Sequence, residues 1–161
     1  MQIKEDFLDK EDFLNLKNFL LHEETPWYYR DHTVNKEDCP YFTFCFFNNN
    51  TILSNAFPLV KPILEKLNYS SLIQVRANLV LKQHNPVQQG WHTDHDYKNF
   101  KTAIFYITEC NGPTLIKDKM IKIYPKENKI LVMDGNTEHS AIPQSDVERR
   151  VVININYYEK Y

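Results

Sequence analysis

Two histidines and one aspartate in this sequence have the types and the spacing of a metal site. His92 and Asp94 form an H-x-D triplet in a segment that we predict to be a β-strand, and side chains two residues apart on a strand point to the same face. His139 follows in a later predicted strand, after a turn that contains Gly135. Two imidazoles and one carboxylate occupy one face of an octahedral ion and leave three positions open, which suits oxygen-activating Fe(II). We therefore predict that His92, Asp94 and His139 are metal ligands and catalytic residues.

Other interpretations of this cluster remain open at the level of sequence. His95 would point to the opposite face of the strand, whereas Asp96 shares the face of Asp94 but lies farther along it. The plainer alternative is that His92 and Asp94 form a polar pair on a sheet surface without a metal.

An alternating segment near the end of the chain offers a partner for an anion. One face of this predicted strand is polar and fits a wet cavity, and the other is apolar and fits packing under helices. Arg150 lies on the polar face and Arg149 on the apolar one. Arg150 is therefore the better candidate for binding a buried dicarboxylate through a bidentate pair, with Arg149 as the alternative. The polar face comprises Arg150, Val152, Asn154 and Asn156, and the apolar face comprises Arg149, Val151, Ile153 and Ile155.

Composition places these groups in a single globular domain over residues 1–161. Hydrophobic residues make up 42% of the chain and the formal charge is −2, which excludes wholesale disorder and gives no electrostatic footprint for nucleic acid or a membrane surface. The charged start and the lack of a long apolar run predict no signal peptide and no membrane span. Three cysteines without a C-x-x-C pair favour a reducing, cytoplasmic setting. The sequence carries no indication of oligomeric state.

Hydrophobic periodicity predicts helices first and strands afterwards. Helical spacing is found over Asp9–Leu21 and over Ala56–Leu67, where Pro62 should kink or shorten the helix. Tyr41–Phe47 has strand-like composition. The pattern predicts a mainly β protein of the α+β class, with a helical part over about 1–70 and a rolled sheet over about 71–158. Further strands are expected near Leu72–Lys82, Trp91–His95, Thr102–Ile107, Ile121–Tyr124, Ile130–Met133, Thr137–Ala141 and Arg149–Tyr158.

The three glycines mark places where the backbone is expected to need positive φ or close approach. Gly90 and Gly135 shortly precede the segments that carry the predicted ligands, and Gly112 follows the Thr102–Ile107 strand. Three ordinary hairpin turns would explain the same positions. The Gln83–Gln89 loop, which precedes the H-x-D segment, is a candidate lid.

Taken in order, these motifs resemble a known enzyme family. The H-x-D triplet, the D-G-x-x-x-H segment and the R-R-V-V-I-N-I-N segment look like the prolyl-4-hydroxylase-like branch of the Fe(II)/2-oxoglutarate dioxygenases, especially its small members from phages and bacteria. The similar stretch runs from about Arg76 to Tyr158. The Asn111–Thr114 turn departs from a double glycine that is common in relatives.

The resemblance implies a double-stranded β-helix (jelly roll) with N-terminal helices packed outside. It implies Fe(II) on His92, Asp94 and His139, and 2-oxoglutarate with its distal carboxylate on Arg150 and Tyr106. Thr102 and Ile104 share the face of Tyr106 and are expected to line the same pocket, and Asn78, together with Arg76, is expected to reach it. A carboxylate ligand favours hydroxylation, because halogenating relatives lack it.

The implied activity is hydroxylation of a C–H bond with O2, with succinate and CO2 as co-products. The expected substrate is peptidyl, prolyl above all, or a small molecule such as a free amino acid, whereas a nucleobase fits the charge poorly. The expected location is the cytoplasm, of the host cell if the chain is phage-encoded. The alternative from another class is a non-catalytic, cupin-like jelly roll that binds metal or a small ligand, and a further one is a structural β-domain.

Overall fold

The structure, a computed structural model, describes residues 1–160. Two α-helices and eleven strands follow one another along these residues, with one 3₁₀ turn at Phe57–Val60. The helices are α1 (Lys10–Leu21) and α2 (Lys61–Lys66). The strands are β1 (Gln2–Lys4), β2 (Tyr28–Arg30), β3 (Tyr41–Asn48), β4 (Thr51–Ile52), β5 (Tyr69–Leu81), β6 (Lys101–Tyr106), β7 (Thr114–Ile116), β8 (Ile121–Ile123), β9 (Lys129–Asp134), β10 (His139–Ala141) and β11 (Arg149–Glu159).

The strands form two antiparallel sheets. The large sheet has eight strands in the order β1-β9-β6-β11-β5-β3-β2, with β4 paired to β3. The small sheet has three strands in the order β10-β7-β8. The expected α+β, mainly β jelly roll is confirmed. The first 70 residues contain both helices, as expected, but also the strands β1 to β4 and the start of β5.

The large sheet has one apolar face and one mixed face because its strands alternate. On β5, Val75, Ala77 and Leu79 are buried in the main hydrophobic core, while the residues between them are only partly buried. Helix α1 covers this apolar face with Phe13, Leu16 and Leu20, so its predicted amphipathic pattern is confirmed. The mixed face turns toward the small sheet. It therefore lines the space between the two sheets.

Pro62 begins a helix instead of kinking one. The predicted Ala56–Leu67 helix is divided into the 3₁₀ turn and α2, and Pro62 lies in the first turn of α2, where a backbone N–H has no helical partner. Of the two effects expected of Pro62, a kink or a shorter helix, the structure therefore has the shorter helix.

Most predicted strands are present within one to three residues of their expected bounds, but the strand at Trp91–His95 is not. In this segment only His92 pairs, in an isolated antiparallel bridge with His139. The backbone N–H of His92 donates to the His139 carbonyl at 3.0 Å, and the reverse bond is 2.9 Å. The other residues of the segment form no strand pairing, so the prediction of a full strand here is wrong.

Among residues 1–160, no helix has both the length and the apolar character that crossing a membrane requires.

Candidate functional site

His92, Asp94 and His139 lie together where the bridge between residues 92 and 139 joins the irregular 83–100 segment to the small sheet. One ligand atom from each of them lies within 4.8 Å of the other two. His139 Nε2 is 3.6 Å from Asp94 Oδ1, and His92 Nε2 is 3.9 Å from the same oxygen. The paired backbones at 92 and 139 hold the two imidazole rings 4.6 Å apart. The three residues predicted to be ligands are therefore side by side, although only one of the two segments is a strand.

Both histidines present the same nitrogen to the common point. The Nδ1 atoms lie 3.1 Å from the backbone carbonyl oxygens of Gly90 and Thr137, respectively, and these oxygens accept if Nδ1 carries the proton. In that tautomer each Nε2 has a free lone pair, as metal-binding histidines require. The Nε2 of His139 is buried and has no hydrogen-bond partner among residues 1–160. A buried, unpartnered imidazole nitrogen beside a carboxylate is a good fit for a metal ion.

Asp94 is held by two asparagines of β11. Asn156 Nδ2 donates to Asp94 Oδ2 at 2.8 Å, and Asn154 Nδ2 lies 3.5 Å from Oδ1. Burial opposes ionisation of this carboxyl, but the two imidazoles and Asn156 outweigh burial and hold its pKa well below the usual range. Asp94 is therefore an anion at neutral pH and is fixed in place. The sequence put both asparagines on the polar face of their strand but did not indicate that they hold a ligand.

The contact from Asn156 leads to a first prediction. We expect Asn156→Ala to weaken Fe(II) binding by about 10- to 100-fold, because groups that orient a ligand typically have effects of this size. Asn154→Ala should have a smaller effect because its contact is longer. Anaerobic Fe(II) titration of the metal-free protein measures both, with Asn55→Ala at an exposed turn as the matched control. An affinity of Asn156→Ala equal to that of the control would contradict this role.

A second polar group, around Arg150, lies in the cavity between the two sheets, at the end away from His92, Asp94 and His139. Arg150 is only 5% exposed, its Nη2 donates to the hydroxyl of Thr114 at 3.2 Å, and its Nε has no partner among residues 1–160. Tyr106 donates to the same hydroxyl at 3.0 Å, and burial raises the pKa of Tyr106, so the phenol stays protonated. No carboxylate of the described chain forms an ion pair with Arg150. A buried guanidinium without a counter-ion is costly, and a bound anion would relieve the cost.

The two arginines lie as the alternation on β11 predicted. Arg149 is exposed and donates from Nη1 to the carbonyl of Leu21 at 3.1 Å, on the side of helix α1. Val151, Ile153 and Ile155 on its face belong to the main core. Arg150 and Asn154 on the other face line the cavity. Of these two arginines, Arg150 is thus the one that faces the cavity.

The remaining residues that were expected to bind the cosubstrate divide into two groups. Ile104 and Asn78 line the cavity. Tyr106 and Thr102 are fully buried behind its wall, where Tyr106 reaches the cavity through Thr114 and Thr102 accepts a hydrogen bond from Asn156 at 3.0 Å. Sequence reasoning missed Thr114, which lies on β7, a strand that was not predicted.

The cavity has a volume of about 390 Å³. Its walls come from the mixed face of the large sheet, from the small sheet and from residues 33–41. Of the candidate lid Gln83–Gln89, Gln89 lines the cavity, and its side-chain oxygen accepts the backbone N–H of Cys39 at 2.9 Å. The 33–41 segment is therefore tied to the chain that leads into His92.

Asp38 makes most of the hydrogen bonds that connect the 33–41 segment with Gly90. Its carboxylate accepts the Thr33 hydroxyl at 2.6 Å, the backbone N–H groups of Val34 and Asn35, and the N–H of Gly90 at 3.1 Å. Burial opposes ionisation of Asp38, but these donors prevail and lower its pKa to about 2. A Cβ atom on Gly90 would lie 2.6 Å from the Asn35 side chain, so glycine serves close approach here, with no positive φ.

This network predicts a loss of stability in acid. We expect Asp38→Asn to lower the free energy of unfolding by about 2 kcal/mol, since hydrogen bonds to a charged acceptor contribute about 1.5–3 kcal/mol. Because the pKa in the folded state is below the ordinary value of 3.8, the contribution is present above pH about 4 and disappears as the pH falls toward 2. Urea unfolding at pH 7 and pH 3 measures it, with the exposed Asp31→Asn as control. Equal stability of the two variants at pH 7 would contradict a stabilising role of the Asp38 hydrogen bonds.

Comparison with known proteins agrees with this architecture. No protein-family model matches the chain, and no curated protein is significantly similar to it in sequence. Solved structures do match in fold. A viral collagen prolyl hydroxylase from Paramecium bursaria Chlorella virus-1, solved with 2-oxoglutarate, has a TM-score of 0.66 at 14% identity, over 96% of this chain and 93% of that one.

Two further structures are similar over most of their length. A 2-oxoglutarate-Fe(II) oxygenase family oxidoreductase from Burkholderia pseudomallei has a TM-score of 0.71 at 10% identity, over 95% of this chain and 82% of that one. A prolyl hydroxylase from Trichoplax adhaerens, solved with a peptide of hypoxia inducible factor, has a TM-score of 0.67 at 12% identity, over 98% and 83% of the two chains. At these identities the likeness establishes the fold, and the chemistry must be argued from the site.

Proposed function

We propose that this chain is a single-domain Fe(II)- and 2-oxoglutarate-dependent dioxygenase that hydroxylates a C–H bond of its substrate. One observation carries the proposal: a buried arginine without a counter-ion shares a cavity with a cluster of two histidines and one carboxylate. A metal site alone would not need Arg150, and an anion site alone would not need the unpartnered Nε2 of His139. A cosubstrate that joins a metal to an arginine explains both.

Residues at one end of the cavity would hold the metal, and residues at the other end would bind the cosubstrate. His92, Asp94 and His139 would hold the metal, with Asn156 and Asn154 fixing the carboxylate. Arg150 and Thr114 would bind the distal carboxylate of the cosubstrate, and Tyr106 would orient the Thr114 hydroxyl by donating to it. With Fe(II) and 2-oxoglutarate bound, O2 is used to convert a substrate C–H into C–OH, and the cosubstrate leaves as succinate and CO2.

The spacing along β11 fits this division. Arg150 and Asn154 are four residues apart on one face of the strand, which separates their backbones by about 13 Å. The extended Arg150 side chain and a five-carbon dicarboxylate together fill such a span. Ile104 and Val152, which also line the cavity, provide an apolar wall between its ends that excludes water from the reacting region.

The proposed substrate is peptidyl or a small molecule, handled in the cytoplasm of the producing or host cell. The Trichoplax structure supports a peptidyl substrate for a chain of this fold because it contains a peptide. The second candidate function is a non-catalytic jelly roll that binds a metal. The buried Arg150, whose position such a protein would not need, favours the oxygenase.

Turnover of the cosubstrate in air tests the proposal directly. Metal-free protein is supplied with Fe(II), 2-oxoglutarate, O2 and ascorbate, and succinate is measured. Ascorbate supplies the two electrons that reduce the second oxygen atom when no substrate C–H bond is present. We expect succinate in amounts equal to the CO2 released, and none when redox-inactive Zn(II) replaces Fe(II). Protein that binds Fe(II) but forms no succinate above the Zn(II) control would favour the non-catalytic jelly roll.

A further inference from the structure

The cavity contains a second arginine that the cofactor site does not use. Arg76 on β5 lines it, together with Arg150, and the only acid among the lining residues is Asp94. Arg76 Nε donates to Asn78 Oδ1 at 3.1 Å. The two terminal amino groups of its guanidinium have no partner among residues 1–160, and no carboxylate of these residues lies within ion-pair distance. Arg76 is thus a positive charge that faces the cavity unpaired.

Arg76 lies at the metal end of the cavity. It pairs across the sheet with Asn154, the residue whose amide contacts Asp94. Arg150 pairs with Val80, four residues farther along β5, so the two arginines are separated by about 13 Å of backbone. One arginine therefore stands at each end, with the metal cluster near Arg76.

The metal end of the cavity has an excess of positive charge. If the proposed function holds, the charges of Fe(II), Asp94, the doubly negative 2-oxoglutarate and Arg150 cancel. The charge of Arg76 then remains. Arg30 at the edge of the same sheet face, with its Nε 3.3 Å from the Thr43 hydroxyl, adds a second positive charge that no acid of the described chain neutralises. The carboxylate of an incoming molecule is therefore attracted to this end of the cavity.

We propose that Arg76 binds the carboxylate of a small substrate, of the class of free amino acids, and so places its carbon chain beside the metal. This inference rests on the proposed function and names its substrate class. A cavity of about 390 Å³ has room for the cosubstrate and one such molecule. Planar, bidentate recognition of a carboxylate is what a guanidinium does best. A prolyl residue inside a peptide has no free carboxylate and would leave Arg76 unpaired.

The test uses the twenty L-amino acids as probes with the Fe(II)-loaded protein at saturating 2-oxoglutarate. Release of CO2 is measured for each acid and then for the α-amide of every acid that stimulates release, because the amide keeps the size and loses the charge. We expect at least one acid to stimulate release, and its amide to have a kcat/KM at least about tenfold lower, the effect of losing a charge-assisted pair. Arg76→Gln should abolish the preference for acid over amide, and Arg76→Lys should retain part of it.

Arg149→Gln, an arginine on the opposite face of the sheet, is the matched control and should keep the full preference. The proposal is overturned if no acid stimulates release, if amides serve as well as acids, or if Arg76→Gln leaves the preference intact. It is also overturned if Arg76→Gln weakens 2-oxoglutarate binding as much as Arg150→Ala does, since Arg76 would then bind the cosubstrate. The visible absorption of the anaerobic Fe(II)–2-oxoglutarate complex, recorded separately, shows whether the proposed function itself stands in each case.

Discussion

Replacing Asp94 with alanine is expected to abolish Fe(II)-dependent succinate formation while leaving the fold intact. The substitution removes one ligand of three, and the loss should exceed the roughly 10- to 100-fold effect of removing a group that merely orients a ligand. The fold should survive because the main hydrophobic core lies on the other face of the large sheet and does not include Asp94. Succinate formation and Fe(II) affinity are measured together with the circular dichroism spectrum.

Asp96→Ala is the matched control for this experiment. Asp96 is an exposed acid two residues farther along the same segment, and it does not belong to the cluster of three. It should therefore retain the turnover of the unmodified protein. Turnover by Asp94→Ala at the rate of Asp96→Ala would eliminate the proposed metal centre.

Replacing Arg150 with alanine should weaken 2-oxoglutarate binding at least about a hundredfold. Breaking a buried, hydrogen-bonded charge pair by removing one partner costs about 3–5 kcal/mol, and each factor of ten corresponds to about 1.4 kcal/mol. The unmodified protein should also be stabilised by the cosubstrate, by about 2.7 kcal/mol at a hundred times its Kd, and Arg150→Ala should lose this stabilisation. The Kd of 2-oxoglutarate and the free energy of unfolding are both measured on the Fe(II)-loaded protein under anaerobic conditions.

Arg149→Ala provides the comparison because it removes the same side chain from the adjacent position. Its guanidinium contacts the carbonyl of Leu21 on the helical side of the sheet, so its effect on 2-oxoglutarate binding should be less than about twofold. Equal effects of the two substitutions, or a larger effect of Arg149→Ala, would contradict the assignment of Arg150 to the cavity face.

The features that could be predicted from the sequence are those set by local periodicity. Alternation along β11 separates Arg150 from Arg149 because consecutive side chains of a strand point to opposite faces, and the structure follows this division over the whole strand. The helical spacing in α1 is confirmed for the same reason. The H-x-D spacing brought His92 and Asp94 together even though the strand around them is reduced to one bridge.

The features that escaped prediction depend on contacts between distant parts of the chain. Asp38 accepts a hydrogen bond from Gly90, 52 positions later, and no local pattern indicates such a partner. Asn156 was placed on the polar face, but only the folded chain shows that it donates to Asp94. The strands β1, β2 and β7, of three residues each, were not predicted, although the equally short β8 and β10 were.

The three glycines are explained by only one of the two reasons that the sequence suggested. The sequence predicts that glycine marks positive φ or close approach, and only close approach occurs. A Cβ atom on Gly135 would lie 2.4 Å from the ring of Phe100, and one on Gly112 would lie 2.7 Å from backbone atoms of the 142–144 segment. Asparagines take most of the positive-φ positions instead, at residues such as Asn49, Asn68 and Asn128.

Anaerobic titration of the metal-free protein with Fe(II) and then with 2-oxoglutarate tests whether the two bind together in the cavity. A 2-oxoglutarate molecule chelating Fe(II) gives a visible metal-to-ligand charge-transfer band. We expect the band to appear in the unmodified protein and to be lost in Asp94→Ala and Arg150→Ala. Fe(II) binding without the band would contradict the dioxygenase and favour a metal-binding jelly roll, and the absence of Fe(II) binding would contradict the metal centre itself.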